Sequence, residues 1–433
     1  MLRALYRRQP LTPLHWSWLV AIFVAQLVYA TVLPMFEGPD EIGHYYRMWA
    51  LSRGHFACDT VPESVTTTAH SMLRKSGKQS VFAPPEHWRD YLKRGAAIAA
   101  DDTRVSGWGY ECFYFPSGLL AQALANRIVA EHLDGKMRTG GAFIGAYAAR
   151  AAEAVVVDLA LLFALVSLPR GRFTLLAFFS IPEVIQQSSC INHDAFLFVL
   201  TLLIAVAALA RPSWRVVLAI GVMASLMAAV KPVYALFGLC GLPQLAQLWT
   251  REHRFSWWRW LVSLTLLLPL TTYYLLRKFT VDANRLWHPS FANPELQWTL
   301  LKHHPLRLFK IFVGYFHYFI DDHKQPDFYP RLINGKWTTL LAGTAQFDMA
   351  LPGLIAVIAG LILAIVADLY SQPPIATTPA PSARVAWAWR IANAAVVATI
   401  PLTIVALYLI FSHVGADYPY GVQGRYHLFT LLL

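Results

Sequence analysis

The chain alternates long apolar runs with short basic connections and two long polar stretches. The runs are roughly Trp16–Leu33, Phe143–Leu168, Phe173–Ser189, Ala195–Ala210, Val216–Val230, Val233–Leu248, Trp258–Leu276, Leu351–Leu369 and Val385–Phe411. A helix needs about 20 apolar residues to cross a bilayer, so several are short and their ends are fixed only to within a few positions. The pattern predicts an all-α polytopic integral membrane protein with about nine or ten transmembrane helices. Leu306–Ile320 is apolar but interrupted by Arg307, Lys310 and His317, which reads as an interfacial amphipathic helix rather than a further span. After Tyr426 the chain closes on HLFTLLL, too short to cross, so the last helix reads as truncated.

One membrane domain over 1–433 is expected, without internal repeat or nucleotide-binding glycine motif. It divides into an N-terminus (1–15), a first polar loop (34–141), a central bundle (142–277), a second polar loop (278–350) and C-terminal helices (351–433). Short helices are expected inside both loops. The tract SQPPIATTPAPSAR (Ser371–Arg384) reads as a flexible link.

Composition supports the membrane reading. Of the 433 residues, 56% are hydrophobic and only 14% charged, where a soluble domain carries about 25% charged residues. The net charge of +11 does not form a basic tract, which argues against a nucleic-acid partner. Arg170 with Arg172, Arg211 with Arg215, and Arg251 with Arg254 and Arg259 mark one side of the membrane, together with Arg3, Arg7 and Arg8. By the positive-inside rule that side is cytoplasmic, and both long loops face outward. Trp16, Trp18, Trp257, Trp258 and Trp260 fall where aromatic belts settle. Cys58 and Cys112 share the first loop and could pair there, while Cys190 and Cys240 read as core thiols.

Charged positions beside lipid carry the candidate chemistry. An ionised side chain at mid-bilayer costs about 2.5–3.5 kcal/mol on insertion scales. Asp40 and Glu41, in GPDEIGHYYR, follow the first span and belong at the outer rim. They can start a helix as cap and dipole partner, or hold a general base above the membrane. His44 lies one turn on, and with both carboxylates leaves a divalent metal open; no cofactor is otherwise implied. Arg47 joins the same substrate-binding set. Arg150, Glu153 and Asp158 share one span and must face protein or a wet cavity. Arg150 can pair with Glu153 along the helix, or bind phosphate bidentately. In SSCINHDA, Asn192 or Asp194 can cap the next helix or line the outer cavity. Lys231 with Tyr234, and Gln423, Arg425 and Tyr426, sit at outer membrane edges. They suit headgroup contact or stabilisation of a departing phosphate.

PDEIGHYYR, SSCINHDAFLF, KPVY and GVQGRY occur here in the order found in a bacterial family of predicted membrane proteins, the domain of unknown function DUF2142, which this chain resembles from about Pro34 to Tyr426. SIPEVIQQSS and AGTAQFDMALP add to the likeness. That family in turn resembles the GT-C class of membrane glycosyltransferases. The resemblance implies a GT-C-like bundle in the bacterial inner membrane, with its N-terminus cytoplasmic and its site extracytoplasmic. It further implies inverting transfer of a sugar from a polyprenyl-phosphate carrier to a glycan or lipid acceptor, with Asp40 as base and Glu41 beside it. A transporter or flippase, or a non-catalytic partner in envelope polysaccharide assembly, is the alternative.

Overall fold

In the computed structural model the first apolar run becomes helix α1, Pro13–Val32. Thr12 starts it: its hydroxyl accepts from the His15 amide, the His15 ring answers the Thr12 amide, and Pro13 occupies a first-turn position where no N–H is missed. Pro34 limits the other end, because without an amide hydrogen it leaves the Ala30 carbonyl with no helical donor. The structure describes residues 10–36, 41–56, 60–72, 88–99, 103–106, 115–133, 140–168, 170–251, 256–280, 292–320, 351–370, 382–417, 419 and 424–432.

The first polar loop folds on itself. It holds α2 (Glu41–Ser52), α3 (Glu63–Met72), α4 (Trp88–Ala96), a 3-10 turn (Pro116–Leu119) and α5 (Leu120–Leu133). β1 (Thr60–Pro62) pairs antiparallel with β2 (Arg104–Ser106), Val61 facing Val105. Met35, Tyr45, Met48, Val65 and Tyr91 pack on Phe143 and Ala146 into a core separate from that of the bundle.

The bundle begins with α6 (Gly141–Ser167), then α7 (Arg172–Phe179), α8 (Pro182–Gln187), α9 (Asp194–Leu209) and α10 (Trp214–Val230). A 3-10 stretch, Pro232–Gly241, leads into α11 (Leu242–Arg251), followed by α12 (Trp257–Leu264) and α13 (Leu268–Thr280). α14 (Pro294–His303), α15 (Arg307–Ile320), α16 (Leu351–Tyr370) and α17 (Ala383–Phe411) follow, then a 3-10 turn (Gly424–His427) and α18 (Leu428–Leu432). The main core joins α1, α6, α7, α9, α10 and the 3-10 stretch through Leu161, Phe179, Phe198, Ile220, Tyr234 and Phe237, among others.

Three expected spans are not single straight helices. Phe173–Ser189 breaks at Ser180–Ile181, where Pro182 opens α8. Val233–Leu248 starts as 3-10 helix, packed so close that a Cβ on Gly238 would stand 2.7 Å from the Leu266 carbonyl oxygen. Trp258–Leu276 bends by 57° between α12 and α13. Among the described residues, α1 and α17 are long and apolar enough to cross a membrane, and the bent pair would make a third. α6 has the length, 27 residues, but carries Arg150, Glu153 and Asp158. Outward-facing Val20, Val24 and Val28 on α1, and Leu159 on α6, give these helices apolar exposed stripes. This is an all-α membrane-type protein.

In α15, Ile311 and Tyr315 pack on Ile404 and Tyr408 of α17, while Phe309 and Val313 are exposed. Cys190 and Cys240 are buried and unbridged; Cys58 and Cys112 lie outside the described residues.

Asp368 of α16 ties two distant elements. Its Oδ1 accepts from the Phe173 amide at 3.1 Å, and its Oδ2 from the Thr174 amide at 2.8 Å and hydroxyl at 2.7 Å. A side chain 194 positions away thus caps α7. Asp368→Ala is expected to cost about 1–2 kcal/mol of stability, the usual worth of a lost N-cap, read as a lower melting temperature of the purified protein.

Candidate functional site

Most of the residues expected at the outer rim gather where α1 and α10 end and α2 and α9 begin. At the centre is a buried carboxylate–guanidinium pair. Arg150 Nε donates to Glu41 Oε1 at 2.6 Å and Nη2 to Oε2 at 2.5 Å, with both side chains fully enclosed. Arg150 also donates to the carbonyls of Ala30 (3.2 Å), Leu33 (2.7 Å) and Pro34 (3.1 Å). A guanidinium has five N–H donors, and these contacts engage all three of its nitrogens. The acceptors are the orphan carbonyls at the C-terminus of α1, the negative end of its dipole.

Glu41 is held equally firmly. The Phe36 amide donates to Oε2 at 2.9 Å and the Ile191 amide to Oε1 at 3.0 Å. Phe36 stands at φ 68°, a left-handed conformation that a bulky residue rarely takes, in the turn that delivers its amide to Glu41. The pairing of Arg150 with Glu153 is therefore corrected: Arg150 binds Glu41, and Glu153 lies within hydrogen-bonding reach of Gln122 instead.

Ile191 leads into the turn before α9. Asn192 Oδ1 accepts from the Asp194 amide at 2.8 Å and the Ala195 amide at 3.2 Å, so Asn192 is the residue that caps α9. Its Nδ2 donates to Gln187 O and Oε1, and its carbonyl accepts from Gln122 Nε2 at 2.7 Å. The turn presents Asp194, whose Oδ1 meets Lys231 Nζ at 2.5 Å and His193 Nε2 at 3.6 Å. Lys231 Nζ also lies 4.3 Å from the centre of the Tyr426 ring, an ammonium on an aromatic face. Tyr234 ties the backbone of the same residue to the bundle by donating its hydroxyl to the Tyr426 carbonyl at 2.9 Å.

His44 of α2 meets His193 edge-on, ring centres 4.5 Å apart and planes at 85°. The structure thus brings together Glu41, His44, Arg150, Asn192, Asp194, Lys231, Tyr234 and Tyr426. Arg47 turns away: it is buried in the first loop and donates to the Phe56 carbonyl. Burial draws its guanidinium down to about 10, so it stays charged at neutral pH. Asp40, Gln423 and the side chain of Arg425 lie outside the described residues. Among the described residues no three His, Cys, Asp or Glu side chains are grouped to hold a metal ion.

His193, Gln122 and Gln187 belong to this network and were not legible as site residues. His193 had one usable signal, its place between two candidates in SSCINHDA. Gln187 lay in the likeness segment SIPEVIQQSS, and Gln122 had no signal, because the packing of α5 brings it to the turn. Gly118 shows how tight that packing is: a Cβ there would stand 2.6 Å from His193 Cβ. Gly118→Ala should displace His193 and cost about 1–3 kcal/mol, the range for overpacking, visible in thermal unfolding.

The model of the predicted membrane protein family DUF2142 matches residues 22–433. The chain belongs to that family. No curated protein and no solved structure matches it. As a DUF2142 membrane protein it has the lipid bilayer as its setting. Apart from Arg150 of α6, the clustered residues come from the segments PDEIGHYYR, SSCINHDAFLF, KPVY and GVQGRY, side by side in space.

Proposed function

We propose that this DUF2142 protein is a GT-C-like glycosyltransferase that takes a sugar from a polyprenyl-phosphate carrier on the outer face of the membrane. The observation that carries the reading is the Asp194–Lys231–Tyr426 cluster with His193 and His44 beside it, at the end of the bundle that the arginine pattern assigns to the outside. Asp40 acts as general base. It takes the proton of an acceptor hydroxyl as that oxygen bonds to the anomeric carbon and the bond from that carbon to the phosphate oxygen breaks. The leaving phosphate gains charge, which Lys231 and Arg425 stabilise. Glu41 and Arg150 act as positioning residues, since each is engaged by the other. The lipid tail lies along the apolar helices, and the bond energy arrives in the carrier, consistent with the lack of a nucleotide motif.

The test follows transfer of labelled sugar from polyprenyl phosphate in membranes holding the protein. Transfer that depends on Asp40 supports the proposal. The second reading, movement of a lipid-linked glycan, draws on the broken α7–α8 helix with Glu183 in it, since discontinuous helices and buried acids are transporter features. Loss of lipid-linked glycan from one leaflet of a vesicle, without transfer, would favour it.

A further inference from the structure

A second polar group lies deeper, between α1 and α8. Two fixed points align these segments. Trp18 Nε1 donates to Ser180 Oγ at 2.8 Å, and Leu33 packs on Cys190. Gln26 falls midway between Trp18 and Leu33, and so level with α8, against which α1 packs. Gln26 is fully buried, and neither its Oε1 nor its Nε2 has a partner among the described residues. Gln186 Nε2 on α8 and Ser188 Oγ just beyond it are likewise buried and unpartnered. Tyr29, one turn above Gln26, is in electrostatic reach of Glu183 and Cys190.

An apolar core does not hold so many unanswered donors and acceptors on facing elements. Water is the partner suited to them, since a buried water typically makes about three hydrogen bonds to such groups. Interrupted helix inside a membrane is tolerated where it borders protein or a wet cavity, and α7 and α8 are interrupted at Ser180–Ile181. We propose that α1 and the α7–α8 break enclose a hydrated, proton-binding chamber in which Glu183 accepts and releases the proton and Gln26, Gln186 and Ser188 form hydrogen-bonding walls. The exchange is between hydronium and the Glu183 carboxylate, giving water and the carboxylic acid. Among the described residues, the titratable and charged groups on the elements around it are Tyr29 on α1, Cys190 on the turn and, beyond Cys190, the Arg150–Glu41 pair, with Asp158 on α6 and, at the far end of α7, Arg172 and Asp368.

The chamber is joined to the rim. Gln187 Nε2 donates to Glu183 Oε1 at 2.7 Å, and Asn192 Nδ2 donates to Gln187. Protonating Glu183 weakens the first acceptor in a chain that ends at the turn holding Asp194. The inference stands independently of the transferase reading.

Dicyclohexylcarbodiimide tests it on the full chain in detergent, because a protonated carboxyl in an apolar setting adds its O–H across the reagent's C=N bond. Peptide mapping is expected to place the adduct on Glu183, with labelling that falls as pH rises and is lost in Glu183→Gln. Labelling only at Glu153 or Asp158, or none at any pH, overturns the proposal. A second measurement does not need Glu183 replaced. In a background with the four native cysteines changed to serine, Gln26→Cys should react with a charged, water-soluble methanethiosulfonate. Val24→Cys, on the exposed face of α1, should not. An inert Gln26→Cys in a protein that elutes as a single species overturns the hydrated chamber.

Discussion

Arg150→Ala should be the most destabilising single substitution in the described part of the protein, lowering stability by about 3–5 kcal/mol, the cost of stranding one member of a buried ion pair. The reason is the number of groups left behind. Glu41 would lose the guanidinium that pairs both of its carboxylate oxygens in an enclosed site. The carbonyls of Ala30, Leu33 and Pro34 would lose the guanidinium that donates to them at and just past the end of α1. Arg150→Lys should not rescue it, because an ammonium has three donors on one atom and cannot span a carboxylate and three carbonyls. Replacing both partners with apolar residues should recover part of the loss only, since the Phe36 and Ile191 amides then go unanswered as well. Thermal unfolding of the four proteins in one detergent checks this. A phosphate-binding Arg150 would behave differently, with Arg150→Lys melting like wild type and only donor binding weakened.

Much of the helical layout is written in local signals. α9, α10 and α17 begin and end within a few residues of the apolar runs, because Asn192, Ser213 and Ser382 supply caps at their starts. What was not legible is non-local or conformational. The partner of Arg150 lies 109 positions away, so the three-residue spacing to Glu153 offered a plausible but different answer. The α7–α8 break and the 3-10 stretch after Pro232 keep the apolar composition of a span, and composition cannot distinguish a helix from its interruption. Within the site, sequence singled out residue types but not their division of labour. Glu41 and Asp40 look alike on paper; only the fold shows that Glu41 is committed to Arg150.

That division sets the second large expected effect. Asp40→Asn should lower sugar transfer by about 10²–10⁴-fold, the range for removing a general base, while leaving the melting temperature close to wild type. Asparagine keeps the shape and the capping ability of aspartate but cannot take up the acceptor's proton. Glu41→Gln should show the opposite signature. Its neutral amide leaves Arg150 charged and buried with three carbonyls but no carboxylate, so stability falls and activity falls with it. Lys231→Gln should fall between the two. It strands Asp194 beside His193 and removes the ammonium from the Tyr426 ring, so donor binding weakens along with the local fold. The discriminating measurement is transfer rate against melting temperature for all three variants in one lipid preparation. An Asp40→Asn protein that melts normally and transfers normally removes the base from Asp40. With Glu41 already held by Arg150, the acid–base role would then pass to the His44–His193 pair or leave this end of the bundle altogether.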